Sequence, residues 1–180
     1  MSMFNSSRVR TGRPFAMILG VMGLLAADAA TAEPAGAAVH DASVQRGRYL
    51  VQIGGCNDCH TAGYAEKAGD VPESEWLTGV PVGFQGPWGT SYPANLRLAL
   101  QAMSEDQWLS YARVPRMPPM PWFNLRDMSD ADLRAMYRYI RSLGAAGELA
   151  PPNAPPGGRV RTPVIVFVPQ VPAQVAQAAR

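Results

Sequence analysis

Of 180 residues only two are cysteine, Cys56 and Cys59, and one is lysine, Lys67. So few cysteines exclude a disulfide-dense scaffold. One lysine leaves no lysine-rich docking rim and no basic stripe for nucleic acid. The only histidines are His40 and His60. No acid–base pair or nucleophile triad stands out, because the acids are scattered through helix caps and loops. Internal repeats are absent. The apolar run Phe15–Ala27 has thirteen residues, short of the roughly 20 that cross a bilayer.

That run follows Arg8, Arg10 and Arg13, with no acid among them, and precedes the small-x-small triplet Ala30-Thr31-Ala32. Ala27-Asp28-Ala29 is a second cleavage site. Residues 1–32 therefore read as a signal peptide and the mature chain as periplasmic. No adjacent arginine pair is present, which points to general secretion rather than twin-arginine export. The alternative is an uncleaved anchor, which, like a membrane-bound partner, would tie the chain to a membrane. After Ala32 there are 13 bases and 13 acids, so the pI near 8.7 belongs to the leader. Residues 33–75 hold seven acids and three bases, and residues 76–180 hold six acids and ten bases. Docking must then rest on arginines, apolar contacts or a permanent complex.

The pattern predicts four stretches: the leader, a loose mature N-terminus over 33–40, a domain over 41–144 and a Pro-rich extended tail over 145–180. A helix is expected over Asp41–Ile53, capped by Asp41 or Ser43 and ended by Gly54-Gly55. Residues 63–97 are rich in Gly and Pro and read as long loops. Ser104-Glu105-Asp106-Gln107 is a capping box opening a helix to about Arg113. Residues 115–123, "PRMPPMPWF", hold too many prolines for helix. Ser129-Asp130-Ala131-Asp132 opens a last helix, with Leu133, Met136, Tyr137, Ile140 and Leu143 inward and Gly144 as its stop. Arg134, Arg138 and Arg141 read as its solvated face. The expected fold class is all-α with long loops. "VIVFV", Val164 to Val168, reads as an extended apolar arm lying on the domain or on a partner, or else as a disordered tail.

Both cysteines fall in "CNDCH", residues 56–60. A thioredoxin-like pair needs a strand before the motif, and here a helix precedes it. A zinc site needs about four ligands, so it would consume every Cys and His of the chain. A disulfide closing so short a loop stabilises little. Covalent attachment of haem c explains all three side chains: two thiols add to two vinyl groups, and His60 is directed under the iron. The attachment occurs outside the cytoplasm, in agreement with the leader. Methionine is the expected sixth ligand, and Met117 and Met120 sit in the stretch stiffened by proline. His40, the other candidate, lies in the loose terminus.

From "RGRYLVQIGGCNDCHTAG", "LTGVPVGFQGPWGTSYPANLR", "MPPMPWF" and "MSDADLRAMYRYIRSLG" the chain resembles the single-haem class I c-type cytochromes. Within these it resembles the cytochromes and modules that accompany bacterial dehydrogenases of alcohols, sugars and sugar acids. The resemblance covers about residues 45–144. It implies that the ligand loop falls on Met120-Pro121-Trp122-Phe123, which favours Met120 over Met117. It also implies a crossing of the first and last helices where Gly47 meets Met136 and Tyr139. Trp88, Tyr92, Asn95 and Arg97 are candidate donors to the haem carboxylates; the alternative for each is ordinary loop packing. Pro81 is a candidate for placing a carbonyl against His60. Trp76, Trp108 and Trp122 read as core.

The expected function is one-electron transfer, without a substrate of its own. The donor would be a dehydrogenase and the acceptor an oxidase or another cytochrome. The rival is a haem enzyme or gas sensor with an open sixth position.

Overall fold

The computed structural model describes residues 35–169, with side chains from His40 onward. The leader and its cleavage sites lie outside these residues. Helix α1 (Ala35–Ile53) runs into α2 (Cys56–His60) through Gly54-Gly55. It begins at Ala35, six residues before the expected Asp41, so His40 is helical. Ala35, Ala37 and Ala38 account for the extension, since alanine has the highest helix propensity. Leu50 and Val51 are buried, whereas Tyr49 and Ile53 face solvent.

Helix α6 (Asp130–Ser142) is the other long element. The Ser129 side chain accepts from the Asp132 N–H at its start, and Gly144 ends it at φ +73°. Leu133, Ala135, Met136, Tyr139 and Ile140 are its buried face. It crosses α1 at Gly47, where an added Cβ would lie 2.0 Å from the Ala135 carbonyl oxygen and 2.7 Å from Tyr139 Cβ. Only a residue without a side chain lets the backbones meet there. Leu77, Leu100, Trp108 and Leu109 complete one apolar core with these helices.

Helices α3 (Leu96–Gln101) and α4 (Glu105–Ala112) pack against α6. The capping box of α4 forms as expected, with Ser104 and Gln107 exchanging bonds. The arginines of α6 form more than a solvated face. Arg134 pairs with Glu105 and Asp106 of α4, and Arg138 reaches both Glu105 and the Ser43 hydroxyl of α1. Arg141 donates to the Leu100 and Gln101 carbonyls at the end of α3. Helix α5 (Trp122–Asp127) starts inside the stretch expected to be extended. Pro121 occupies its N-cap, where a missing N–H costs nothing. Trp122 is half-buried on α5 and outside the core, unlike Trp76 and Trp108.

The all-α expectation is incomplete, because a small sheet stands beside the helices. Strands β1 (Gly83–Gly86) and β2 (Gly89–Ser91) form a hairpin within the stretch read as loop, and β3 (Val164–Val166) pairs parallel to β1. Strands of three or four residues are too short to show alternation in sequence. Thr90 and Ala154 exchange two 2.8 Å bonds, and Phe167 donates to the Gln85 carbonyl. Gly89, at φ +104°, would carry a Cβ 2.2 Å from the Ala154 carbonyl oxygen. No described helix is long and apolar enough to cross a membrane.

The crossing supplies a stability test. Gly47→Ala forces α1 and α6 apart and should cost about 3 kcal/mol. Gly144→Ala, where a Cβ meets nothing within 4 Å, should cost only about 1 kcal/mol for its left-handed φ. Thermal melts of the two variants, expected to rank in that order, check the crossing.

Candidate haem-binding site

The functional side chains converge because α1 fixes the start of α2. Gly55, at φ +68°, turns the chain so that Cys56, Cys59 and His60 all line one cavity. The cavity is open to solvent on one side. The proline-rich loop contributes Met117, Pro119 and Met120 to the same lining. Phe84, Leu96, Trp108, Ala112, Leu125, Met136 and Ile140 make the rest largely apolar.

His60 is buried, and its Nδ1 lies 2.7 Å from the Ala94 carbonyl oxygen. A carbonyl can only accept, so Nδ1 carries the proton and Nε2 keeps its lone pair. Burial lowers the imidazole pKa, and the Ala94 bond opposes this. Burial is the larger effect and leaves a neutral ring suited to a metal ligand. The carbonyl comes from Ala94, not from the Pro81 region. Its loop is held by Leu96 N–H to Leu77, Val80 N–H to Pro93 and Gly79 N–H to His60. Gly79, at φ +80°, has no room for a Cβ, which would sit 2.8 Å from the Asn95 nitrogen.

The two sulfurs form no disulfide with each other. Burial, with Asp58 nearby, pushes Cys56 up to about 12, and the same two causes raise Cys59. Such thiols are protonated at neutral pH, the opposite of the lowered pKa of a redox-active pair. Among the described residues no three His, Cys, Asp or Glu side chains gather as a metal cluster. Two thiols, one imidazole with a free Nε2 and two thioethers around an apolar cleft fit haem.

The candidate carboxylate donors separate. Tyr92 lines the cavity, its hydroxyl 2.7 Å from Thr162 Oγ1. Asn95 caps α3 through the Leu98 N–H and gives its Nδ2 to the Ala146 and Glu148 carbonyls. Arg97 is buried, with its donors on the Ser74, Leu143 and Gly144 carbonyls. Trp88 bonds the Phe84 carbonyl and packs on Phe167. These last three therefore lie outside the lining, occupied in holding the hairpin and the chain beyond α6. Buried donors go to carbonyls that would otherwise be orphaned. Sequence reasoning missed Arg116, whose guanidinium stacks 4.0 Å over Tyr111 at the mouth, and Asn153 from the tail. Arg116 was signalled by its place in "PRMPPM"; Asn153 carried no signal.

A sequence model of the cytochrome c family matches residues 44–144. The chain belongs to the cytochrome c family. Membership makes haem c, with its iron, the cofactor of this cytochrome and electron transfer its role, and Cys56 and Cys59 fit the attachment motif. Among curated proteins it is 33% identical over 137 residues to the gluconate 2-dehydrogenase cytochrome c subunit of Pantoea cypripedii, covering 68% of this chain and 31% of that protein. It is 31% identical over 121 residues to one of the subunits of nicotinate dehydrogenase from Pseudomonas putida, covering 62% of this chain and 10% of that protein. The cytochrome thus spans about a third of the first relative and a tenth of the second. No solved structure matches it significantly.

Arg97→Ala tests the corrected assignment. Three backbone carbonyls lose their donor, and stability should fall by about 3 kcal/mol in denaturant titration. The absorption bands of the folded haem protein should stay as in the wild type, because the side chain does not reach the cavity.

Proposed function

We propose that this cytochrome is an exported electron carrier without a substrate of its own, passing single electrons through iron held by His60 and Met120. The observation that carries the reading is the His60–Ala94 bond. It leaves Nε2 with its lone pair, on a ring that lines the cavity with two thiols and the proline-held methionines. Haem c supplies a one-electron ferric–ferrous couple when bound. His60 gains basicity at Nε2 from its donation to Ala94. The loop backbone is braced by Ser91 Oγ, which donates to the Pro118 carbonyl at 2.6 Å, and by Trp122 N–H on the Met120 carbonyl. A thioether presented on so stiff a loop changes position little as the iron changes charge. Met117 lines the same cavity; the family's Met-Pro-x-aromatic pattern favours Met120.

The donor in this reading is a dehydrogenase, as the relatives' names suggest, and the acceptor an oxidase or a second cytochrome. Residues 1–32 support a periplasmic location. The single lysine and the exposed strip Ile165, Val166 and Phe167 support a lasting complex held by apolar contact.

Absorption spectra of the oxidised and reduced protein test the ligation. The wild type should be low-spin and refuse carbon monoxide. Met120→Ala should lose the weak sulfur-to-iron band and bind carbon monoxide, while Met117→Ala keeps the band. A wild type that binds carbon monoxide untreated would instead establish the haem enzyme or gas sensor, and loss of the band in Met117→Ala would move the ligand to Met117. For docking, the rate of electron transfer from the dehydrogenase should change less than about twofold between roughly 0.05 and 0.5 M salt. A steep fall would establish transient charge steering.

A further inference from the structure

The family match ends at residue 144, yet Asn153, from the chain beyond it, lines the cavity. Its place is fixed from both sides. Ala154 exchanges two bonds with Thr90, and the Tyr92 backbone N–H donates to Asn153 Oδ1 at 2.8 Å. An amide whose oxygen is committed to an N–H must present its two Nδ2 hydrogens elsewhere. Among the described residues no acceptor takes them.

Two hydroxyls beside it are occupied: Ser91 gives its own to Pro118, and Tyr92 shares its own with Thr162. Arg116 donates to the Tyr111 and Pro115 carbonyls and has N–H groups to spare. Asn153 is an uncommitted neutral donor in the lining of an apolar cleft, and it comes from outside the family domain. The periphery of haem c is methyl groups, thioethers and two propionate carboxylates, and only the carboxylates accept strong hydrogen bonds. We propose that Asn153 donates from Nδ2 to a haem propionate, so that the tail beyond the family domain completes the cofactor site. This rests on the haem reading of the cavity.

A donor to the ionised carboxylate holds the propionate pKa down. The reduction potential falls as pH rises through that pKa, because the new negative charge favours ferric iron. Removing the donor moves this fall to higher pH. Asn153→Asp retains an acceptor for the Tyr92 N–H and so keeps the tail in place. It offers no donor at neutral pH and adds a negative charge.

The experiment is a potential-versus-pH titration of the full-length holoprotein and its Asn153→Ala and Asn153→Asp variants, with a haem stain of each on a denaturing gel. The fall should move up by about one pH unit in Asn153→Ala, and further in Asn153→Asp. An unshifted profile in Asn153→Asp overturns the proposal, whatever Asn153→Ala does to the tail. A wild type without covalent haem overturns the cofactor reading itself, and this inference with it.

Discussion

Everything at the site depends on two helices meeting without a side chain between them. Gly47 lets α1 lie on the Ala135 carbonyl of α6, and that contact sets where α1 ends. Since α2 follows after two glycines, the position of Cys56, Cys59 and His60 is inherited from the crossing. Met136 and Ile140 of the same α6 then serve both as core and as cavity wall. A distortion of the crossing would be transmitted directly to the cofactor, because close-packed interiors pass strain on rather than absorb it.

The second support is a chain of backbone bonds leading away from His60. Its carbonyl accepts from Gly79, its ring donates to Ala94, and the loop carrying Ala94 enters α3 through the Asn95 cap. The same Asn95 holds the Ala146 and Glu148 carbonyls, and Arg97 holds Gly144. The residues that orient the histidine thus also anchor the start of the tail. This explains why Asn95 and Arg97, suited to haem carboxylates by type, are absent from the cavity lining: the fold needs them one layer further out.

What was legible in sequence followed from local rules. CNDCH carries its chemistry in five residues, Ser104 and Ser129 announce helix starts, and Gly47 was placed at a crossing by resemblance. The hairpin was hidden because Gly83, Gly86 and Gly89 look like loop, although each is there for close approach: the Cβ of Gly83 would meet the Thr90 side chain at 2.5 Å. The roles of Asn95, Arg97 and Asn153 depend on partners some 45 to 65 residues away, and no local pattern encodes such pairings. Pro81 failed for a related reason. The carbonyl beside His60 is chosen by how two loops stack, and Ala94 has no side-chain feature to mark it.

The parallel pairing of β3 with β1 also orders events in time. Chains emerge from the N-terminus onward, so the thiols at 56 and 59 are exposed roughly a hundred residues before Val164–Val166 exists. The outer edge of β1, and the cavity position held by Asn153, stay open until the last part of the chain arrives. The pairing of β3 with β1 closes a long stretch of sequence, which makes it a slow contact to form.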